Sequence, residues 1–460
     1  MKNNFEKYYQ AVNYLESMAN LPEPDYLSLK RGRSLFLKRF AYFLKLLGNP
    51  HQNLKYVHIG GTSGKGSVAA MIQEILTEAG YTTGLYLSPH PTTTIERIKV
   101  DRLLIGPDEF ADLMNRIKPK IDLAYQKSPY GRPSYFEILT ALAFLYFKEK
   151  KCDYAVLEVG LGGKYDATNI IPRAEATVIN LIDYDHTHLL GETLTKIAEE
   201  KAAIIKPKTA FFTTGLNHYR VLEILKKTCL KNKAKFNVVN PPKTRYQLQL
   251  LGQHQQNNAA LAAAVCRHLG VAEAKIKSGL AKVKLSCRTE IIQKNPMIIL
   301  DGAHNASKMK TTLETIKNLT RSTGSPLGKF EVTLNKAERS RSTLSGTEGL
   351  TYQKLYLIIA LTKTKNPKTI FKNIQSLAAK VFISRYQSSE RKCYPPLELA
   401  KKMKLKKPAE IYLDAKTAFN QARKQAGKND LILVTGSFYL AGELRQHWRN
   451  EESLLEERKI

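Results

Sequence analysis

The segment that most constrains this chain is GGTSGKGS, Gly60–Ser67, set between an apolar run and an amphipathic stretch. Tyr56–Gly60 reads as a buried strand. Ser67–Ala79 reads as a helix with Val68, Met71, Ile72, Ile75 and Leu76 on one face, closed by Gly80. A glycine-rich turn between strand and helix lets backbone N–H groups fold around phosphate oxygens, with the positive end of the helix dipole aimed at the same point. Gly61, Thr62, Ser63, Gly64, Lys65, Gly66 and Ser67 are therefore candidate ATP-binding residues. Lys65 would neutralise β/γ charge, and the Ser67 hydroxyl would reach magnesium. The strict phosphate-loop pattern is not met, because Gly66 separates Lys65 from Ser67.

The same alternation continues. Gly84–Leu87 reads as a strand and Tyr135–Lys148 as a mostly buried helix. Tyr154–Val159 and Thr177–Ile182 are continuous apolar runs, as expected of strands covered on both faces. The first fifty residues read as helices. A second set of strands, MIILDGAH, LYLIIAL, KVFIS and LILVTG, begins near Met297. The expectation is an α/β protein: an N-terminal phosphate-loop ATPase domain with a parallel-rich sheet, then a smaller Rossmann-like C-terminal α/β domain. The proposed boundaries are 1–296, with a linker at about 282–296, and 297–460. A polar insertion at about 321–349, rich in Ser, Thr and charge, is expected to be mobile.

The 72 Lys and Arg against 41 Asp and Glu leave a net charge of +31. Such a field attracts anions. No zinc-finger or RNP motif accompanies it, so a lysine-rich solvated surface is favoured over a nucleic-acid site. The five cysteines form no CxxC pair, and the longest apolar run, Ile138 to Phe147, is half a membrane span. A cytoplasmic protein with no membrane association is expected.

Seven segments in order extend the loop motif: SPH with ERI at 88–98, SYFEILTALAFLYF, LEVGLGGKYDATN (Leu157–Asn169), DHTHLLGETLTKIAEEKAAIIKP (Asp185–Pro207), GQHQQNNAALA, ILDGAHN and VTGSFYLAGE (Val434–Glu443). Together they resemble the folylpolyglutamate synthase and dihydrofolate synthase family of the Mur ligase superfamily, along nearly the whole chain. The resemblance implies a Mur-ligase-like fold and an ATP-dependent ligase. Such an enzyme adds L-glutamate to dihydropteroate, or to the γ-carboxylate of folates, through an acyl phosphate. It implies ATP and Mg2+ as cofactors, small-molecule partners only, and a monomer.

Residue by residue, the resemblance implies Lys65, Glu158, His186 and Lys201 as catalytic. It implies Ser67, Ser88, Glu158, His186 and, if carbamylated, Lys201 as metal-binding. Ser134, Tyr135, Phe136, Glu137, Tyr165, Asp166 and Ala167 would bind the pterin substrate, with Phe136 equally well a core residue. Asn258, Arg288, Asp301 and His304 would contact ATP, so that one nucleotide is gripped by both domains. The chain departs from the family pattern at four places: Ser63 for Asn, Lys164–Tyr165 for Arg-Leu, Ala203 for Gly, and TKTKNP (Thr362–Pro367) for an acidic segment. Another Mur-type ligase using a different carboxylate or amino acid, and a basic nucleic-acid or nucleotide-binding module that has lost catalysis, are the competing readings.

Overall fold

The structure is a computed structural model, described here over residues 5–20, 34–321, 351–374, 376–388, 392–405 and 409–459. The insertion expected at 321–349 lies outside the described residues beyond Arg321. The chain divides into two compact units. The first comprises Met1–Tyr246, Gln256–Val283 and Glu452–Ile460; the second comprises Gln247–Gln255 and Lys284–Glu451.

The first unit is built on an eight-stranded sheet. Its strands are β1 (Lys55–Gly60), β2 (Thr83–Tyr86), β3 (Ile98–Val100), β4 (Leu103–Leu104), β5 (Tyr154–Glu158), β6 (Ala176–Ile179), β7 (Ala210–Thr214) and β8 (Lys235–Val239). Their spatial order is β4-β3-β2-β5-β1-β6-β7-β8. Pairing is parallel from β2 through β8, while β3 and β4 run antiparallel at one edge. Central strands β1, β2, β5, β6 and β7 are buried at nearly every position, which is why they read as apolar runs without alternation. The loops that follow β1, β2, β5 and β6 therefore emerge side by side at the carboxyl edge, where open α/β sheets bind ligands.

One core lies between this sheet and the helices Glu6–Asn20, Leu35–Leu46, Pro107–Lys127 and Tyr135–Glu149, with Phe40, Phe43, Phe110, Phe144 and Phe147 inside it. The helix Lys65–Glu78 packs closely on Glu273–Lys282: a Cβ on Gly279 would come within 2.7 Å of the Ile75 backbone. Residues 452–460 complete this unit. Leu455 joins the same core, and Arg458 Nε donates to Leu104 O at 2.9 Å.

The second unit carries β9 (Glu290–Lys294), β10 (Met297–Leu300), β11 (Thr320–Arg321), β12 (Thr351–Tyr352), β13 (Leu355–Ile359), β14 (Lys380–Ile383), β15 (Ala409–Ile411) and β16 (Leu431–Thr435). Six of them form a sheet in the order β15-β14-β13-β16-β10-β9; β11 and β12 form a separate parallel pair. The four strands expected from the sequence are its buried centre. The stretch expected to be a linker instead holds β9, antiparallel to β10 at the sheet edge. Its residues are half-buried, so EIIQK lacks the apolar run that marks the inner strands. Among the described residues, no helix is long and apolar enough to cross a membrane.

Candidate active site

The phosphate loop turns on Gly64, which adopts φ 76° and ψ 2°, a left-handed conformation that costs other residues energy. A Cβ there would also lie 2.3 Å from Asn180 Nδ2 and 2.6 Å from Asn258 Oδ1. Asn180 follows β6 and donates to Asn258 Oδ1 at 2.8 Å. Asn258, expected at ATP, thus stands against the loop itself.

Within the loop, the roles separate. The N–H groups of Thr62 and Ser63 point to Leu181 O, at 2.8 and 3.3 Å. The Thr62 hydroxyl donates to Asp183 O at 3.0 Å and accepts from Asp183 N at 3.1 Å. Thr62 is spent on fastening the loop to the segment after β6. The first-turn N–H groups at Lys65, Gly66 and Ser67 have no intrahelical acceptor. Ser63 Oγ is buried without a hydrogen-bond partner.

Glu158, at the carboxyl end of β5, is 4% exposed. Its Oε2 accepts from Ser88 N at 3.0 Å, and a Cβ on Gly66 would meet that oxygen at 3.2 Å. The carboxylate thus faces the start of the phosphate-loop helix, beside the segment that follows β2. His186 occupies a left-handed position, φ 49° and ψ 38°, at the head of the turn Thr187–Leu190. Its N–H donates to Asp185 Oδ1 at 2.9 Å.

Lys201 is 4% exposed, and Nζ donates to Gly162 O at 3.4 Å. Burial, with the charge of Lys65 adding, drives its ammonium down to about 7, against the pull of Asp185, Asp166 and Glu200. The two lysines are therefore electrostatic neighbours, although they stand 136 positions apart in the chain. Burial likewise brings Lys206 down to about 8; its Nζ donates to Asn169 O at 2.8 Å and ties down the end of the 160–169 loop.

Of the residues expected at the pterin, several are committed to holding the loops. Glu137 closes a capping box on Ser134 and makes two-pronged contact with buried Arg39, at 2.9 and 3.0 Å. Asp166 accepts from Leu161 N, Thr168 N and Thr168 Oγ1, at 2.9, 3.0 and 2.6 Å; burial raises its carboxyl against these bonds. Because the Thr168 hydrogen goes to Asp166, His58 Nε2 donates to Thr168 Oγ1 at 2.8 Å, and burial keeps that imidazole neutral, down to about 3. Ala167 is buried. Tyr135 and Tyr165 remain half-buried, each with a cation over its ring, from Arg97 and Lys164 respectively. Phe136 is half-buried as well and packs on Tyr86; a Cβ on Gly160 would strike its ring edge at 2.5 Å.

In the second unit, Arg288 lies between Cys287 (φ 55°) and Thr289 (φ 50°), both left-handed. Its guanidinium sits 4.5 Å from the centre of the Phe438 ring. Asp301 is buried. Its Oδ2 accepts from Thr289 N and Oγ1, its Oδ1 from Ala303 N and Thr312 Oγ1. His304 Nδ1 donates to Gly302 O, and Nε2 accepts from Lys308 Nζ. Nearby His254 is driven down to about 4 by burial, with Arg288 adding to the shift.

Sequence reasoning missed Asn180, Asp185, Thr289 and His254. Only Asp185 carried a signal, through its place beside His186 in DYDH; the others act through contacts across long chain separations.

A phosphate-loop sheet unit followed by a second α/β unit is the arrangement of a Mur-type ligase, and both Mur ligase domain models match the chain. The Mur ligase middle domain matches residues 59–219, and the glutamate ligase domain of Mur ligases matches residues 287–438. A dihydrofolate synthase/folylpolyglutamate synthase of Bacillus subtilis is 28% identical over 452 residues, covering 91% of this chain and 96% of its own length. A folylpolyglutamate synthase of Lacticaseibacillus casei is 30% identical over 339 residues, covering 67% and 77%. The crystal structure of the Thermotoga maritima folylpolyglutamate synthase superposes with a TM-score of 0.74 at 28% identity, over 97% of this chain and 98% of that one. The chain belongs to the folylpolyglutamate synthase/dihydrofolate synthase family.

Proposed function

We propose that this protein is an ATP-dependent ligase. It joins L-glutamate to dihydropteroate, to the γ-carboxylate of folates, or both, through an acyl phosphate. The observation that carries this is the juxtaposition at the sheet edge of the left-handed phosphate-loop turn at Gly64 with the Glu158 carboxylate against Gly66. Phosphoryl transfer asks chiefly for positioning and for neutralised charge. Lys65 and the first-turn N–H groups hold the phosphates, and Lys65 stabilises the charge that grows on the transferring group. The acceptor carboxylate attacks the γ-phosphorus and ADP leaves. The glutamate amine then displaces phosphate from the acyl carbon.

Magnesium fits the donor set. Among the described residues no three His, Cys, Asp or Glu side chains gather as a ready cation cage. Magnesium is commonly held by one or two carboxylates together with substrate phosphates, and Glu158 with Ser67 offers such a half-site. Bound there, the ion would supply charge neutralisation at the phosphate oxygens. His186 and Lys201 would serve a second ion. Lys201 held at about 7 has its neutral amine well populated near physiological pH, the form that adds carbon dioxide, and the resulting carbamate would provide the missing anionic oxygens. Tyr135, Phe136 and Tyr165 would line the pterin, with Arg288 and His304 on the nucleotide side.

We place the protein in the cytoplasm as a monomer; its five free cysteines suit a reducing compartment. The test is ADP release that requires both a folate or dihydropteroate and glutamate, with mass-spectrometric analysis of the products. ADP release supported by a different acceptor would favour another Mur-type ligase.

A further inference from the structure

We infer that His58 and Lys206 are positioning residues for the acceptor substrate. They brace the turn Asp166–Asn169 from two sides and so hold Asp166 and Ala167 where the pterin is received. The inference rests on the proposed ligase reading and on the pterin role expected of residues 165–167.

His58 stands out for its place in the fold. It lies inside β1, opposite Leu157 of β5 and Thr177 of β6, and is 0% exposed. The buried positions around it, Tyr56, Val57 and Ile59, are aromatic or aliphatic. A polar ring sealed in a sheet costs free energy unless it is hydrogen-bonded. Nε2 meets the Thr168 hydroxyl at 2.8 Å, while Nδ1 is buried with no hydrogen-bond partner. Since that hydroxyl donates to Asp166 Oδ1 at 2.6 Å, the ring proton sits on Nε2 and the unused lone pair on Nδ1. A second proton would bury an N–H without an acceptor, in the field of Lys206. The ring is therefore a fixed donor to Thr168.

This chain of donors runs from the rigid centre of the sheet to a carboxylate in a loop. Asp166 Oδ1 accepts from Thr168 N as well, and Oδ2 accepts from Leu161 N at 2.9 Å. Three of the roughly four acceptor positions of the carboxylate are thus filled, and the one left, on Oδ2, suits an N–H of the substrate. A pterin carries such donors on its amino group and ring. With no exposed surface, His58 acts on that contact through Thr168.

Lys206 braces the other end of the turn. Its Nζ donates to Asn169 O at 2.8 Å, so its partner is a carbonyl, not a carboxylate. The Asn169 side chain in turn donates to Lys164 O and Ala203 O, at 3.2 and 3.4 Å, and ties the turn to the segment that follows the helix Leu194–Ala202. A turn fixed at Thr168 by the sheet and at Asn169 by residues 203–206 is ordered before the substrate arrives, which lowers the cost of binding.

Steady-state ADP release by the full chain, with dihydropteroate and with tetrahydrofolate as acceptors, tests the arrangement. His58→Leu leaves Thr168 without its donor; its KM for the acceptor should rise about fivefold or more, while its KM for ATP stays within about twofold of wild type. His58→Gln, whose amide can reach the place of Nε2, should bring the acceptor KM back to within about twofold of wild type. Lys206→Met should raise the acceptor KM about threefold or more, again without change for ATP. If His58→Leu does not fold, His58→Met takes its place with the same expectation. A purely structural role would reduce the active fraction, lowering the apparent kcat and leaving each KM unchanged. That result, equal rises for acceptor and ATP, or a His58→Gln as impaired as His58→Leu, overturns the inference alone. A wild type that turns over neither acceptor overturns the ligase reading, and the inference with it.

Discussion

Asn180 Nδ2 donates to Asn258 Oδ1 across 2.8 Å, and this amide pair fills the space that a side chain at Gly64 would need. The phosphate loop is therefore shaped from outside, by a residue after β6 and one from the helix Gln253–His268. Gly64→Ala has two penalties, the left-handed backbone at roughly 1–2 kcal/mol and the collision with both amides. We expect lower thermal stability together with at least tenfold weaker ATP binding. Calorimetry and nucleotide titration check both; normal ATP binding by a folded Gly64→Ala protein contradicts the account of the loop.

Arg39 and Glu137 form a buried two-pronged ion pair. Removing one partner of such a pair leaves an uncompensated charge and costs about 3–5 kcal/mol, whereas removing both is often far milder. Arg39→Met should thus destabilise the protein strongly, and Arg39→Met with Glu137→Gln should recover much of the loss. Denaturant unfolding followed by circular dichroism reads the difference; equal destabilisation of the two variants would show that the charge left on Glu137 is not the cause.

For Glu158→Gln we expect the magnesium midpoint of ADP release to rise about tenfold or more, the scale on which even outer-sphere changes act at metal sites. The carboxamide keeps the size and still accepts from Ser88 N, so the segment after β2 should remain in place. Magnesium titrations of wild type and variant decide it, and coincident midpoints would take Glu158 out of the cation site.

Lys201 provides the pH signature. Its folded-state ammonium is brought down to about 7, so the neutral amine is the minor form at pH 6 and the major form at pH 8. Carbamate formation requires that neutral amine. With 13C-labelled bicarbonate, a carbamate resonance should grow as pH rises from about 6 to 8 and should be absent from Lys201→Met, and ligase activity should follow the same rise. A resonance of equal intensity at both ends of that range would contradict the depressed ammonium.

Much of this fold is written in short-range pattern. β1, the loop after it and the helix Lys65–Glu78 are announced by an apolar run, glycines and helical periodicity within twenty-odd residues. The four inner strands of the second unit are equally plain, because strands covered on both faces must be apolar throughout. β9 escaped notice since an edge strand with half-buried residues carries no such run. The excursion of residues 247–255 into the second unit has no local marker at all. At the site, residue types were legible and partners were not. Nothing in the letters around Asp166 or Glu137 tells that one is bonded by Leu161 and Thr168 and the other by Arg39; those contacts exist only once distant segments meet. The left-handed pair around Arg288 was equally hidden, as neither Cys nor Thr advertises that conformation.

The return of residues 452–460 to the first unit has a consequence for how the molecule is made. A ribosome delivers the long Met1–Tyr246 portion of that unit before the second unit, yet the seat for Leu455 in its core and the acceptor at Leu104 O for Arg458 stay vacant until residues 452–458 have been translated. The second unit, by contrast, has its whole sequence available once Glu451 has emerged. The first unit, begun before the second, is thus finished after it. A nascent chain stalled at any codon before 452 holds a first unit with apolar surface uncovered, the kind of surface on which chaperones act.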